Sequence, residues 1–207
     1  MHVLEKIRLS DEQVKTLETG GIVNIPASRE EFEEFLAATN YTAEYHNEQI
    51  IVMGLAAFIH ELLVGRLIYL LTGYYLGKPF YVAGSNAGIR KEGQKGHYNG
   101  DVLVIKGKPI YQGEFRSILT NPYLIVEIPS EATLNYDLGA KRRKYEQMET
   151  LEEIVFVDPF DKEVFVCRRT DQANVWTETA YTSPDQVVNM DGLQIQLKEV
   201  FANLPEE

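Results

Sequence analysis

Two carboxylates stand at the ends of apolar runs. Asp101 opens DVLVI (101–105), and Glu127 lies near the close of YLIVEI (123–128). Nearly continuous apolar runs of this length read as strands buried on both faces, in the middle of a sheet. If the two are antiparallel neighbours, the start of the first lies beside the end of the second, and the carboxylates approach at one sheet edge. Like charges so placed are costly unless a positive charge lies between them. A hard divalent cation fills that role, because Mg²⁺ is held by one or two carboxylates together with waters and substrate phosphate. Spacing alone leaves open the alternative that both acids cap strand ends and face solvent.

Downstream, Asp137, Lys141 and Tyr145 fall at i, i+4 and i+8 and share one helix face. If that face looks back at the strand end, Lys141 can polarise a scissile phosphate or orient an attacking water. Lys141→Met would then abolish turnover and leave folding intact. The alternative is an exposed Asp137–Lys141 pair, worth about 0.2–0.5 kcal/mol to the helix. Glu44 offers a further carboxylate, as ligand, as acceptor behind a ligand, or as a surface acid of a hairpin. His60, one turn into an apolar helix, is either a hydrogen-bonded core histidine or a catalytic base. Arg143 and Lys144 are candidate phosphate contacts, with solvated helix charges as the alternative. The lone cysteine, Cys167, excludes an intramolecular disulfide and reads as a buried small hydrophobe within VFVCRR.

The elements that must position these groups can be read in order. Ser28 with Glu31 forms a capping-box signature, so a helix is expected over 28–39. A hairpin turns at His46-Asn47-Glu48, and a long apolar helix covers 56–76, with Tyr74-Tyr75 packing at its end. Strands are expected at 80–84 and 87–91, followed by a polar loop, 92–100. After Pro129 the period becomes helical from about Asn135 to Met148. A hairpin follows with Asp158-Pro159 opening its turn, then a strand near 174–181 and a C-terminal helix near 192–202. The class is α/β, a mixed sheet flanked by helices with extra β-hairpins. Residues 1–27 read as an N-terminal arm and 28–207 as one domain.

Composition narrows the possibilities. The chain has 207 residues with 20 Lys and Arg against 31 Asp and Glu, for a net charge of −11. Such a surface steers nucleic acid poorly, so binding would be weak and confined to local basic groups. Those groups are Arg90, Lys91 and Lys95, and the cluster from Lys141 to Lys144. No run reaches the roughly 17–20 apolar residues of a membrane span, and no signal-peptide h-region opens the chain, so a cytoplasmic location is expected. A carboxylate-pair glycosidase also needs two acids but gives the Lys141 helix no role.

The segment NPYLIVEIPSEATLNYDLGAKRRKYEQMETLEEIVFVDP resembles the core of the Uma-type restriction endonucleases, a bacterial branch of the PD-(D/E)XK nuclease superfamily. Its motif residues are Pro122, Leu124, Glu127, Ser130, Asp137, Lys141, Tyr145, Asp158 and Pro159. Gly100-Asp101 matches the family's Pro-Asp, and Glu44 and His60 match less exactly a Tyr-Glu hairpin and a helical His. The resemblance implies a restriction-endonuclease-like core and a nuclease acting through Mg²⁺ or Mn²⁺ on nucleic acid, with DNA as the expected substrate. It implies Asp101 and Glu127 as metal ligands and Lys141 as the catalytic lysine supplied from a helix. Gly100 in place of Pro is expected to loosen the approach of Asp101, and Pro129 removes a backbone donor after the Glu127 strand. The alternative is a catalytically silent nuclease-fold protein that serves interaction or regulation. Association into a homodimer is left open.

Overall fold

A computed structural model describes residues 9–54, 56–92, 97–113, 115–131 and 133–205. The chain forms two compact units, Met1–Ala57 with Gly93–Tyr98, and Phe58–Glu92 with Asn99–Glu207. In the first, Ser10 and Gln13 form a capping box that starts α1 (Asp11–Glu18), and Ser28 and Glu31 form another that starts α2 (Arg29–Ala38). Strands β1 (Ile22–Pro26), β2 (Ala43–His46) and β3 (Gln49–Met53) make an antiparallel sheet in the order β1-β3-β2. Asn47 and Glu48 both take positive φ, 49° and 59°, as the tightest hairpin connections demand. Leu17, Val23, Phe32, Phe35, Ile50 and Val52 close the core of this unit. The segment expected as an arm therefore supplies a capped helix, an edge strand and core residues.

The second unit is built on α3 (Phe58–Tyr75), β4 (Phe80–Gly84), β5 (Gly88–Ile89) and, after the two-residue β6 (Tyr98–Asn99), β7 (Val102–Lys106). Then come β8 (Tyr111–Gln112), β9 (Phe115–Leu119) and β10 (Pro122–Glu127). The helical segment that follows has three parts: α4 (Leu134–Tyr136), a π-helical turn (Asp137–Lys141) and α5 (Arg142–Tyr145). The chain closes with β11 (Glu153–Asp158), β12 (Glu163–Arg169), β13 (Trp176–Tyr181), β14 (Val187–Met190), β15 (Leu193–Gln196) and α6 (Leu197–Val200).

A six-stranded mixed sheet runs in the order β13-β12-β11-β10-β7-β4. Strands β10 and β11 are parallel, so the helical segment between them is the crossover that a parallel pair requires. Strand β10 pairs β7 on its other side, antiparallel. Leu63, Leu67 and Leu71 of α3 join Val102, Val104, Leu124 and Val126 in one core cluster. Among the described residues, no helix is long and apolar enough to cross a membrane.

The C-terminal expectation needs correction. Residues 192–196 are not helical: β14 and β15 form a hairpin, and only Leu197–Val200 is helix. Asp191 and Gly192 take φ of 46° and 91°, and Val188, Met190, Leu193 and Ile195 alternate inward across the pair. An Asp-Gly turn between alternating apolar residues is a strong hairpin signal, and it outweighs the weak helical periodicity.

Asp191 also ties this hairpin to the unit. Its carboxylate accepts from the Tyr75 and Tyr123 hydroxyls at 2.7 and 2.9 Å, and its N–H donates to Glu153 at 2.9 Å. Arg168 Nε donates to the same Glu153 at 2.5 Å. Burial pushes the Glu153 carboxyl from 4.5 up to about 7, helped by the Asp191 charge and opposed by Arg168. A carboxyl raised on folding contributes stability that is full below its unfolded value and lost as pH rises through its folded value. Stability should therefore fall between pH 4.5 and about 7, and Glu153→Gln should flatten that slope. Urea midpoints across a pH series measure it; an unchanged slope would move the titration to another group.

Candidate functional site

The antiparallel register sets Val102 opposite Val126 and Leu103 opposite Ile125. Asp101 immediately precedes β7 and Glu127 ends β10, so the two acids are the next residues facing each other at one end of the central strands. Directly opposed residues leave a sheet on the same face. The strand end is tied by the Ile128 N–H, which donates to Asp101 Oδ2 at 2.7 Å. Gly100 is fixed by close approach: a Cβ there would lie 2.8 Å from Ile125 Cγ2 and 3.7 Å from Glu127 Oε1. The missing side chain is what lets β10 pack against this turn.

The crossover helix brings Lys141 over the same strand end. Its Nζ lies 3.1 Å from each Glu127 oxygen, 3.0 Å from the Asn99 carbonyl and 3.4 Å from Asp137 Oδ1. Tyr145 donates its hydroxyl to Glu127 Oε1 at 2.5 Å. In an uninterrupted α-helix, residues eight apart drift by about 80° around the axis. The wider π turn takes back part of that drift, and such turns recur at functional sites. It aligns Asp137, Lys141 and Tyr145 on one inward face.

These groups are deeply buried: Glu127 is 2 % exposed, Lys141 4 %, Asp137 5 % and Tyr145 0 %. The exposed-pair alternative for Asp137–Lys141 is excluded, and burial this deep gives Lys141→Met a folding cost beside any loss of turnover. Burial drives the Glu127 carboxyl well above its ordinary value. The Asp101 and Asp137 charges push the same way, while Lys141 and the Tyr145 hydrogen bond resist.

His60, on α3, joins the site with Nε2 3.2 Å from Asp101 Oδ1 and Nδ1 3.3 Å from Glu61 Oε1. Burial works against its protonation, but the hydrogen bond and charge of Asp101, with Glu61, outweigh it and raise its pKa. Glu44 is fully buried on β2 of the first unit, so it is not a surface acid of the hairpin. Arg143 is exposed and Lys144 half-buried on α5, and Lys91 is half-buried, while Lys95 lies outside the described residues.

Sequence reasoning gave no role to Tyr145, Asn99 or the Ile128 amide. Tyr145 carried a usable signal: on a buried helix face its hydroxyl needs a partner, and a carboxylate was already expected there. Backbone partners carry no residue-type signal at all.

The donor set suits a hard cation. Asp101 and Glu127 provide only oxygen, and Asp101 remains 17 % exposed at its side chain. Each carboxylate has about four lone-pair sites, so capacity remains on both after the hydrogen bonds above. Three carboxyl groups, Asp101, Glu127 and Asp137, gather here with Lys141 and His60 as their basic partners. Among the described residues no three His, Cys, Asp or Glu side chains form a ready-made cage. The protein would therefore supply two carboxylates and leave other positions to water or phosphate, as Mg²⁺ prefers.

Residues 29–203 match the Uma2 family, described as "Putative restriction endonuclease". The chain belongs to this family. The similarity seen in residues 122–159 is thus borne out over most of this chain. A solved structure titled as a "putative nuclease belonging to DUF820" from Anabaena variabilis ATCC 29413 superposes with a TM-score of 0.65 at 17 % identity. The match covers 86 % of this chain and 98 % of that one, and it establishes the shared α/β fold. No curated protein matches the chain.

Two stability measurements check the geometry. Lys141→Met strands the Glu127 and Asp137 charges in a buried site and should cost about 3–5 kcal/mol, read from urea denaturation. A loss of a few tenths would place Lys141 at the surface. Gly100→Ala should cost about 1–3 kcal/mol through overpacking against Ile125; a neutral result would show that the turn yields freely.

Proposed function

We propose that this Uma2-family protein is a magnesium-dependent endonuclease that hydrolyses phosphodiester bonds of nucleic acid, with DNA as the expected substrate. The observation that carries the proposal is the pair Asp101 and Glu127 at adjacent ends of β7 and β10, backed by Lys141. The nuclease title of the Anabaena protein supports the same chemistry. Asp101 and Glu127 would hold Mg²⁺ or Mn²⁺, which would supply Lewis-acid stabilisation of phosphate charge and a more acidic water.

The side chains divide the remaining work. Asp101, held by the Ile128 amide and His60, presents its free lone pairs at the accessible edge. Tyr145 and Lys141 fix the Glu127 carboxylate and favour its ionised form against the opposing pull of burial. Lys141 adds a fixed positive charge beside the position where phosphate charge develops. Arg143 and Lys144 take flanking phosphates as point contacts, and Glu44 is assigned no role. A buried lone Cys167 suits a reducing compartment, and we place the protein in the cytoplasm.

One observation favours a second reading, a catalytically silent nuclease fold used for interaction. Lys141 is 5 % exposed at its side chain and already bonds three oxygen partners. Cleavage of a panel of DNA and RNA with Mg²⁺ separates the two. The proposal expects metal-dependent cleavage that Asp101→Ala lowers by about two to three orders of magnitude. Binding in Ca²⁺ should appear at low salt, with a shallow slope of about two to four phosphate contacts. Binding without any cleavage selects the silent reading, and neither binding nor cleavage removes nucleic acid as the ligand.

A further inference from the structure

Helix α3 carries an exposed face that is unusual in charge. Phe58, Tyr69 and Leu76 are 70, 77 and 81 % exposed. At 3.6 residues per turn Phe58 and Tyr69 share a stripe about 120° wide with Glu61, the half-buried Leu62, Gly65, Thr72 and Gly73, and Leu76 follows directly after the helix. Glu61 is the sole charged residue on that stripe, in a chain where 25 % of residues are charged. A helix face turned to water ordinarily carries charged and polar groups. Arg66 does not relieve this, because it turns away to bond the Val200 carbonyl at 2.6 Å.

The two glycines are not explained by packing among the described residues. A Cβ at Gly65 or Gly73 would meet nothing within 4 Å. Glycine in a helix interior is unfavourable, so both positions give up helix stability for no internal contact. They stand symmetrically, four residues to either side of Tyr69. At the C-terminal end of α3 lies a shallow groove of about 260 Å³, lined by Thr72, Leu76, Lys78 and Tyr81. The Lys78 ammonium sits 3.5 Å over the Tyr74 ring, with no carboxylate partner among the described residues. At the other end of the stripe are Phe58 and Glu61, whose carboxylate has only the 3.3 Å approach to His60 Nδ1.

We propose that this outer face of α3 is a self-association surface, on which a second copy of the chain docks antiparallel about Tyr69. A two-fold contact uses one patch on both partners, so the patch must complement itself. The pattern does so. Reversing the helix about Tyr69 brings Gly65 of one copy to Gly73 of the other, leaving room for each Tyr69 ring. The same operation brings Phe58 to the other copy's groove and Glu61 towards its Lys78, an apolar match and an opposite-charge match. With −11 on each copy, most encounters are repulsive, and this nearly uncharged stripe is where repulsion is least. The surface does not depend on the nuclease reading.

Sedimentation equilibrium of the full chain over a wide concentration range tests the surface. A concentration-dependent dimer is expected. Gly65→Leu should abolish it while leaving the melting temperature of dilute protein unchanged or higher, because the added side chain enters open space. Glu61→Lys and Lys78→Glu should each weaken association by about tenfold, and the double exchange should restore it. A chain monomeric at every concentration overturns the proposal. So does a dimer indifferent to Gly65→Leu, or a double exchange as weak as the two single changes combined.

Discussion

A carboxylate with 2 % exposure at the end of a central strand is the constraint around which the second unit is arranged. Removing Glu127 from water costs several kcal/mol, and the interior repays that only through a close partner of opposite charge and full hydrogen bonding. Lys141 and Tyr145 are that partnership, and their position dictates much else. A lysine over the strand end requires a helix crossing there, and a helix crossing there makes the next strand parallel. The π turn then places three buried side chains in line, and Gly100 lets the neighbouring strand end draw close. Each feature is costly or neutral by itself, and all serve one contact.

The compensation is incomplete by design of the charges. Two carboxylates, Glu127 and Asp137, contact one buried ammonium, the Asp101 charge acts on Glu127 as well, and Glu127 sits well above its ordinary pKa. A site tuned for stability alone would lack that excess. Negative charge held on rigid strands in a poorly solvated place is what a hard cation requires, and proteins commonly give up stability at such sites.

Much of this was legible in the amino-acid sequence. The apolar runs bounded by Asp101 and Glu127 announced central strands, and the i, i+4, i+8 spacing announced one shared helix face. The Ser28 and Glu31 cap and the turn at Asn47 followed from local chemistry. What escaped has physical reasons. Whether an Asp–Lys pair is exposed or buried depends on what the helix crosses, which the helix itself does not encode. Gly100 resembled a loosened Pro because its contact with Ile125 comes from a different strand. The β14–β15 hairpin was missed because apolar residues near the terminus fit two periods, and the Asp191-Gly192 turn was the deciding signal.

The sequence separations within the site imply an order of assembly. Lys141 is 14 residues from Glu127 and Tyr145 is 18, whereas the Asp101 bond to the Ile128 amide spans 27 and the Asn99 bond to Lys141 spans 42. Shorter loops close at lower entropic cost, so the strand–helix–strand segment can bring its lysine to its glutamate early. Strand β7 arrives later, and only then does Asp101 stand beside Glu127. Half-folded chains thus hold one carboxylate, already neutralised by its lysine, and lack the second. On the proposed metal-dependent reading, affinity for a divalent ion marks the last step of folding, because the pair of carboxylates exists only once β7 has docked.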